Sequence, residues 1–195
     1  VFVFAETDAE GRYSIPVPKG WYSVYPALTV SPYHDLPEIL TVKTGGRTSK
    51  NFHMPATSGM KIRVLDAETS RPLFARLRIE PVYPNQPISF GVGQGRLAYQ
   101  NNIYIPAEGR TIPLPAGSYL VYATHGPRYD MKDMLVKVAE GKVAQGVILL
   151  KQVVPTPGWI GIEMGGRTIA TPGCALTAED YARMAAAEGL EWLIS

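Results

Sequence analysis

Hydrophobic and polar residues alternate along several short stretches of this chain, which is the period expected of half-buried β-strands. The clearest stretches are residues 60–66 (MKIRVLD) and 75–80 (ARLRIE), with a polar turn between them. The chain also contains 19 Gly and 17 Pro among its 195 residues, a composition that favours many turns and short strands over long helices. The pattern therefore predicts a mainly β protein.

An internal repeat covers most of the chain. Residues 11–25 (GRYSIPVPKGWYSVY) are matched by residues 109–122 (GRTIPLPAGSYLVY), and the similarity continues from Ile39 and from Leu135. In each copy a Pro-x-Gly turn predicts a hairpin, and a later glycine turn, at Gly45-Gly46 or within Glu140-Gly141-Lys142, predicts a second one. A spacing of about 100 residues is the size of a whole β-sandwich domain. We expect two tandem antiparallel β-sandwich modules, the first lacking one or two strands.

The pattern changes at residues 153–158 (VVPTPG), which predict a linker. Short strands are expected at residues 159–163 and 190–194. Between them, Thr177 is a good N-cap and the Ala-rich residues 178–188 predict the strongest helix of the chain. A strand–helix–strand unit cannot bury its own faces, so we expect a short C-terminal β-α-β segment that begins an α/β domain.

Composition and charge narrow the possible partners. The formal net charge is +2 and the basic residues are scattered, which argues against nucleic acid. No apolar run is long enough to span a bilayer. Cys174 is the single cysteine, so an intrachain disulfide is excluded, and we expect a small buried residue there, not a nucleophile. The chain starts with Val1 inside an apolar run, so we interpret it as processed or partial, and the missing signal peptide says nothing about compartment.

The phrase TDAEGRYSIPVPKGWYSVY, residues 7–25, resembles the carboxypeptidase regulatory-like modules, which have a transthyretin-like (prealbumin-like) β-sandwich. Their recurrent pattern is a Thr-Asp-x-x-Gly-x-Tyr turn and strand followed by Pro-x-Gly-x-Tyr. Residues 1–55, incomplete at the N-terminus, and residues 59–151 both fit this pattern. Such modules are accessory parts of extracellular or periplasmic proteins, so the resemblance implies an extracellular, cell-surface or periplasmic location.

The tail resembles the entrance to a PHP-type metallohydrolase domain, through Gly158-Trp159-Ile160 and residues 171–177 (TPGCALT). In bacterial proteins of the CehA/McbA type, β-sandwich modules precede that domain. The family opens with a strand ending Asp-x-His-x-His, whose two His bind metal. Here Glu163 lies near the Asp position, while Gly165 and Arg167 occupy the two His positions and cannot bind a metal. We therefore expect residues 158–195 to be a degenerate, truncated start of such a domain.

No catalytic, cofactor-binding or metal-binding residue is predicted. His34, His53 and His125 are the only histidines, and each lacks a second ligand at metal spacing. We expect hydrogen-bonded loop or strand histidines. His125 is the best placed of the three because residues 128–130 (RYD) follow it, and a polar loop at a sandwich end can bind a ligand.

Two further patterns have simple structural interpretations. Residues 91–95 (GVGQG) have glycine spacing but no following Lys-Ser/Thr and no βα context, so we expect a flexible hairpin or bulged loop, not a phosphate loop. Several aromatic residues could form a carbohydrate-stacking surface, but packing within and between strands is the preferred interpretation. These aromatics are Trp21, Tyr22, Tyr25, Tyr33, Tyr83, Tyr99 and Tyr104.

Three functional hypotheses follow. The first is a non-catalytic structural or interaction module of a secreted or cell-surface protein, with protein partners or self-association. The second is the N-terminal accessory part of a metal-dependent PHP-type hydrolase, an enzyme role that the missing His pair argues against for this chain. The third is a self-assembling extracellular filament subunit, in which the apolar residues 1–4 (VFVF) complete an open sheet in a neighbouring chain.

Overall fold

The computed structural model of the protein describes residues 3, 5–24, 38–52, 58–84, 88, 90, 97–172, 174 and 176–194. These residues form two compact units, one up to Phe52 and one from Ser58 onward. Strands dominate, and the chain is mainly β with a β-sandwich and a short C-terminal helical segment, as the sequence predicted. The domain limits at 1–55, 59–151 and 158–195 stay a prediction.

The first unit contains one antiparallel strand pair in its described part. Strands β1 (Gly20–Val24) and β2 (Glu38–Val42) pair with Gly20 opposite Val42. Residues 12–17, the predicted partner of β1, are in no strand, although their exposure alternates as expected of an extended chain. The hairpin predicted at Pro18-Lys19-Gly20 is therefore wrong. Alternating exposure shows which side chains of an extended segment are covered. It does not show which other segment its backbone hydrogen-bonds to.

The rest of the described first unit is turns and extended chain. The Tyr13 hydroxyl donates to the Lys50 carbonyl oxygen at 2.8 Å, and the Tyr13 and Phe52 ring centroids lie 6.2 Å apart. The predicted turn at Gly45-Gly46 is present, with the Gly46 N–H donating to the Lys43 carbonyl at 3.0 Å. No strand follows this turn within residues 46–52, so the second predicted hairpin of this copy is also wrong.

The second unit contains a β-sandwich made of two sheets. One sheet has the strand order β10-β9-β5-β7-β6, and the other has the order β11-β3-β4, with β8 also paired to β3. The strands at 60–66 and 75–80 are confirmed as β3 and β5. The strands are β3 (Gly59–Asp66), β4 (Pro72–Leu73), β5 (Ala75–Pro81), β6 (Ala98–Tyr99), β7 (Asn102–Ile105), β8 (Arg110–Pro113), β9 (Gly117–Thr124), β10 (Lys132–Val138) and β11 (Val143–Leu150).

The core lies between these two sheets. Alternate side chains of every long strand point inward, so the period of 2 in the sequence becomes one continuous apolar layer. Its largest members are at most about 1% exposed, and the burial of such aliphatic and aromatic side chains is the main stabilising term. They are Met60, Ile62, Val64, Leu77, Ile79, Ile103, Ile105, Ile112, Tyr119, Val121 and Leu150.

The two hairpins predicted in the second copy are connections between sheets. Pro115-Ala116-Gly117 joins β8, which pairs with β3, to β9, which pairs with β5 and β10. Buried Leu114 fixes this crossing, because its N–H donates to the Ser58 carbonyl at 3.0 Å. Residues 140–142 likewise join β10 to β11 in the other sheet. The turns were located correctly, but their hairpin pairing was wrong.

The sandwich is also not wholly antiparallel, which corrects the predicted class in one respect. β11 runs parallel to β3, from Val143 opposite Gly59 to Leu150 opposite Asp66. A strand that enters from the other sheet is free to run in either direction, because no tight hairpin forces it to reverse against its neighbour.

The C-terminal segment has the predicted β-α-β form. It comprises β12 (Ile162–Met164), α1 (Ala178–Ala187) and β13 (Trp192–Ile194), and the two strands are parallel. The Thr177 hydroxyl caps α1 by accepting the Asp180 N–H at 3.0 Å. Gly189 follows with φ +71°, the left-handed conformation that commonly ends helices. Among the described residues, no helix combines the length and apolar character needed to cross a membrane.

Candidate functional site

The loop after β9, residues 125–130 and here called the junction loop, lies where the sandwich meets the C-terminal segment. His125 is the first residue of this loop, and its Nδ1 lies 2.7 Å from the Phe74 carbonyl oxygen. The His125 and Tyr129 rings meet edge to face, with their centroids 4.9 Å apart. Burial lowers the His125 pKa below its ordinary value, so the neutral imidazole is favoured. Because a carbonyl oxygen can only accept, the neutral tautomer protonated on Nδ1 can donate to it. His125 is thus a hydrogen-bonded loop histidine, as expected.

Tyr129 ties the junction loop to the end of β3. Its hydroxyl donates to Asp66 Oδ2 at 2.8 Å, while Asp66 Oδ1 accepts the Thr69 N–H at 2.7 Å, the Thr69 hydroxyl at 2.8 Å and the Glu68 N–H at 3.0 Å. These donors, the Thr69 N–H foremost, lower the Asp66 pKa to about 2. Burial raises the pKa of Tyr129. The Tyr129 hydroxyl and the Asp66 carboxylate are therefore hydrogen-bonded to each other.

Arg128 connects the junction loop to the C-terminal segment. Its guanidinium donates to the Gly189 carbonyl oxygen at 2.8 Å, to Glu191 Oε1 at 2.7 Å and to the Thr156 hydroxyl at 3.1 Å. Glu191 in turn accepts the Gly161 N–H through Oε2 at 2.6 Å. The Arg128 hydrogen bond is the main reason that the Glu191 pKa is lowered. One side chain therefore joins the linker, the end of α1 and the entrances of β12 and β13.

Two glycines allow the backbone of the junction loop to approach the end of α1. Gly126 has φ +72°, and a Cβ there would lie 2.0 Å from the Glu188 carbonyl oxygen. Gly189 makes the reciprocal approach, since a Cβ at this position would lie 3.1 Å from the His125 carbonyl oxygen. Any larger residue at position 126 would push the loop away from the helix.

The sandwich also supplies positive charge to the carbonyl end of α1. The last turn of this helix carries no basic residue of its own, and its final carbonyls form the negative end of the helix dipole. Arg76 on β5 lies 3.0 Å from Glu188 Oε1, and the Tyr104 hydroxyl on β7 donates to the same oxygen at 3.3 Å. With Arg128 on the Gly189 carbonyl, two sandwich arginines stabilise the helix end and fix the segment in place.

The C-terminal segment presents one apolar face to solvent. In the register of the parallel pair, Ile162 lies opposite Trp192 and Met164 opposite Ile194, and these four residues are here called the open face. Ile162, Trp192, Met164 and Ile194 are 44%, 62%, 77% and 52% exposed, respectively. Glu163 and Leu193 point to the opposite side and are half-buried.

Helix α1 lies on the Glu163 side of the strand pair, away from the open face. A Cβ on Gly166 would lie 2.4 Å from the Tyr181 ring, so the turn after β12 packs directly on the helix. Burial, and next the nearby Glu163 carboxylate, raise the pKa of Tyr181. Parallel strands with a helix on one side only are unusual, because parallel sheets are covered on both faces.

Gly165 and Arg167, the two positions compared with metal-binding His residues, lie directly after β12. Gly165 has φ +108° and its N–H, like that of Gly166, donates to the Ile194 carbonyl. The Arg167 carbonyl accepts the Cys174 thiol at 3.2 Å, and Cys174 is half-buried where a buried residue was predicted. Within the described part of the chain, no group of three or more His, Cys, Asp or Glu side chains is placed to hold a metal ion.

Other predicted positions have mixed outcomes. His34, His53, Tyr25, Tyr33 and the glycine loop at 91–95 lie outside the described residues. Trp21, Tyr83 and Tyr99 are 82%, 94% and 71% exposed, so the strand-packing interpretation is wrong for these three. Tyr22 and Tyr104 are half-buried. Trp21 lines a shallow, open depression of the first unit with Lys19, Thr41 and Lys43, and the carbohydrate hypothesis stays untested there.

Sequence reasoning missed three residues of the junction: the acceptor carboxylates of Glu188 and Glu191, and the second arginine, Arg76. Glu188 and Glu191 look like ordinary polar residues around a helix end, and Arg76 looks like the outward side of an alternating strand. Arg128 meets Gly189 across 61 positions of sequence, so no local pattern marks the contact. The apolar residues of the open face are visible in the sequence, but there they look like the buried residues of an ordinary strand.

Comparisons with known proteins give only loose similarities. No protein-family model matches the chain, and no curated protein matches it. Among solved structures it is similar to the minor pilin GBS52 of Streptococcus agalactiae, with 16% identity and a TM-score of 0.33 over 58% of this chain and 50% of that one. It is also similar to the Bacillus anthracis TIE protein, with 17% identity and a TM-score of 0.36 over 85% of this chain and 30% of that one. The chain thus spans half or less of either neighbour, and TM-scores this low carry no argument about function.

Proposed function

We propose that this chain is a structural and interaction module of a secreted, cell-surface or periplasmic protein. In this role the second-unit sandwich is a rigid support that holds the C-terminal β-α-β segment, and the segment binds protein through its open face. The observation that carries the proposal is the open face itself: four exposed apolar side chains on a segment fixed to the sandwich by Arg128.

The size of the open face fits a binding surface. At the exposures given above, its four side chains present on the order of 300–400 Å² of apolar area. The largest apolar patch on a typical monomer is about 300–600 Å² and is often functional. Trp192 and Met164 contribute most of this area, and aromatic residues and Met are enriched at interface centres.

The geometry of the segment defines the chemistry of its partner. Helix α1 already covers one side of β12 and β13, and physical rules for parallel sheets require a second cover on the other. The partner is therefore a protein segment that lays an amphipathic helix with an apolar stripe across Trp192 and Met164. A polar or strongly charged partner would leave these side chains in contact with water, and its binding would gain little free energy from the hydrophobic effect.

A dye-binding experiment tests the open face. An apolar fluorescent dye is expected to bind the native chain, and Met164→Lys combined with Trp192→Lys is expected to remove most of that signal. Trp21→Lys is the matched control, because Trp21 is also highly exposed but lies in the first unit. Equal loss of signal in the control and in the double variant would contradict the proposal.

Hydrogen exchange tests the support role of the sandwich. Arg128→Met keeps much of the length of the side chain but removes its donors to Gly189, Glu191 and Thr156. Amides of α1 and β13 are expected to exchange at least about tenfold faster, because a charge-assisted hydrogen bond such as that to the Gly189 carbonyl contributes roughly 1.5–3 kcal/mol. Amides of β3 and β5 should keep their protection. Unchanged exchange in α1 would show that Arg128 does not fix the segment.

A second candidate is the accessory front part of a metal-dependent hydrolase. The parallel β12–β13 pair with its connecting helix favours it, since this is the first step of an α/β sheet. Elemental analysis of the purified chain tests whether this chain itself holds a metal. Stoichiometric zinc, manganese or iron would favour the hydrolase and overturn a purely structural role.

A further inference from the structure

The outer edge of β11 differs from the other sheet edges of the sandwich. β11 is eight residues long (VAQGVILL), pairs only with β3 among the described strands, and contains no charged residue and no Pro. Natural proteins protect such edges with charges, Pro, bulges or short strands. β4 and β6 are only two residues long, β8 contains Arg110 and Pro113, and β10 carries Lys132, Asp133 and Lys137. β11 alone of these edges is both long and uncharged.

The outward face of β11 is apolar as well. Val143, Val147 and Leu149 are 41%, 43% and 52% exposed, while Ile148 and Leu150 point into the core and are buried. A strand added beside β11 would therefore gain main-chain hydrogen bonds along its edge and apolar cross-strand contacts on its outer face.

We propose that β11 pairs antiparallel with β11 of a second copy of this chain, which joins two sandwiches into one continuous sheet across a two-fold axis. This inference goes beyond the proposed function, because it uses a surface separate from the open face. A two-fold contact uses the same patch on both copies and closes on itself. It therefore predicts a discrete dimer, and not the open filament considered from the sequence.

Side-chain direction restricts the register. Residues directly opposite in an antiparallel pair point to the same face, so outward residues must meet outward residues. One register that does so pairs residues 143–149 of both strands and centres on Gly146, with Val143 opposite Leu149 and Gln145 opposite Val147 of the second copy. In it, every directly opposed outward pair contains at least one aliphatic side chain.

Charge opposes a one-residue shift of this register. A shift by one residue would place Lys142 opposite Lys151 of the second copy at both ends of the pair, and like charges directly opposite destabilise a sheet. In the register centred on Gly146, Lys142 lies opposite Leu150 instead. The one-residue shift would also place outward residues opposite inward ones, so charge and side-chain direction both argue against it.

Sedimentation velocity over a concentration series that reaches about 1 mM tests the inference, because a single added strand makes a small and weak interface. A reversible dimer is expected. Val147→Lys should weaken it by about tenfold or more, since each dimer contains two such positions. Leu135→Lys is the matched control: Leu135 is also an outward aliphatic residue on an edge strand, β10, and is 61% exposed. Its variant should dimerise as the native chain does.

A second variant and a hydrogen-exchange measurement on the native chain complete the test. Gln145→Lys changes an exposed polar residue of β11, so it should fold normally and still weaken the dimer. Hydrogen exchange of the native chain should show protection of residues 143–150 that rises with concentration. A chain that stays monomeric, or an equal effect of Leu135→Lys, overturns the inference. Concentration-dependent protection of β12 and β13 instead would overturn it while supporting the open face.

Discussion

The hydrogen bonds that the buried Asp66 carboxylate accepts, first from the Thr69 N–H and then from the Tyr129 hydroxyl, make the second unit sensitive to acid. The Asp66 carboxylate accepts from the Tyr129 hydroxyl and from the Thr69 and Glu68 N–H groups, and Asp66 is only 8% exposed. Protonation would remove the charge that all of these donors favour. The perturbation to apply is therefore either low pH or Asp66→Asn, which keeps the shape of the side chain and removes its charge permanently.

The magnitude follows from the pKa. Folding lowers the Asp66 pKa from 3.8 to about 2. Since one unit corresponds to about 1.4 kcal/mol, the carboxylate contributes on the order of 2 kcal/mol to the free energy of unfolding. The folded pKa is the lower one, so the stabilisation is fully present above the unfolded value of 3.8 and is lost as pH falls through about 2.

Urea unfolding followed by circular dichroism, at a series of pH values between about 7 and 2, measures this contribution. Asp66→Asn should be less stable than the native chain by on the order of 2 kcal/mol at neutral pH, and the difference should shrink steadily below about pH 4. Asp133→Asn, at an exposed position on β10, is the control and should change little. A difference between Asp66→Asn and the native chain that is equal at pH 7 and pH 2 would refute the reasoning, because it would show an effect of shape and not of charge.

Two further predictions concern the ends of α1. Gly126→Ala should destabilise the second unit by about 3 kcal/mol, because left-handed strain adds to a 2.0 Å contact with the Glu188 carbonyl. Gly158→Ala has a similar φ of +77° but open space around its Cβ, so it should cost only about 1 kcal/mol, and equal losses in thermal unfolding would contradict the clash. Thr177→Ala should cost about 1 kcal/mol by freeing the Asp180 N–H, and the loss should appear as faster hydrogen exchange in the first turn of α1. Thr177→Ser keeps the acceptor and should retain most of the protection.

The local part of the C-terminal segment was predictable. The cap at Thr177, the Ala-rich helix and the flanking strands are signals that span only a few residues, and the structure places α1 at Ala178–Ala187 with β12 and β13 on either side. The alternating stretches at 60–66 and 75–80 were correct for the same reason. Each strand buries every second side chain, so its own sequence records its faces.

Hydrogen-bond partners and close approaches were decided by the tertiary structure. Turn residues at 115–117 mark a change of direction, but whether the next strand returns beside the last one or crosses to the other sheet depends on the core that both sheets share. The parallel pairing of β11 with β3 has no local signal either. The junction is similar: Arg128 acquires its role only because folding brings Gly189 and Glu191, more than 60 positions away, within hydrogen-bond distance. Sequence by itself determined strands β3 and β5 with their buried faces and the helix α1, because those depend on neighbouring residues. The pairing of strands, the junction and the open face depend on long-range packing, and only the fold defines them.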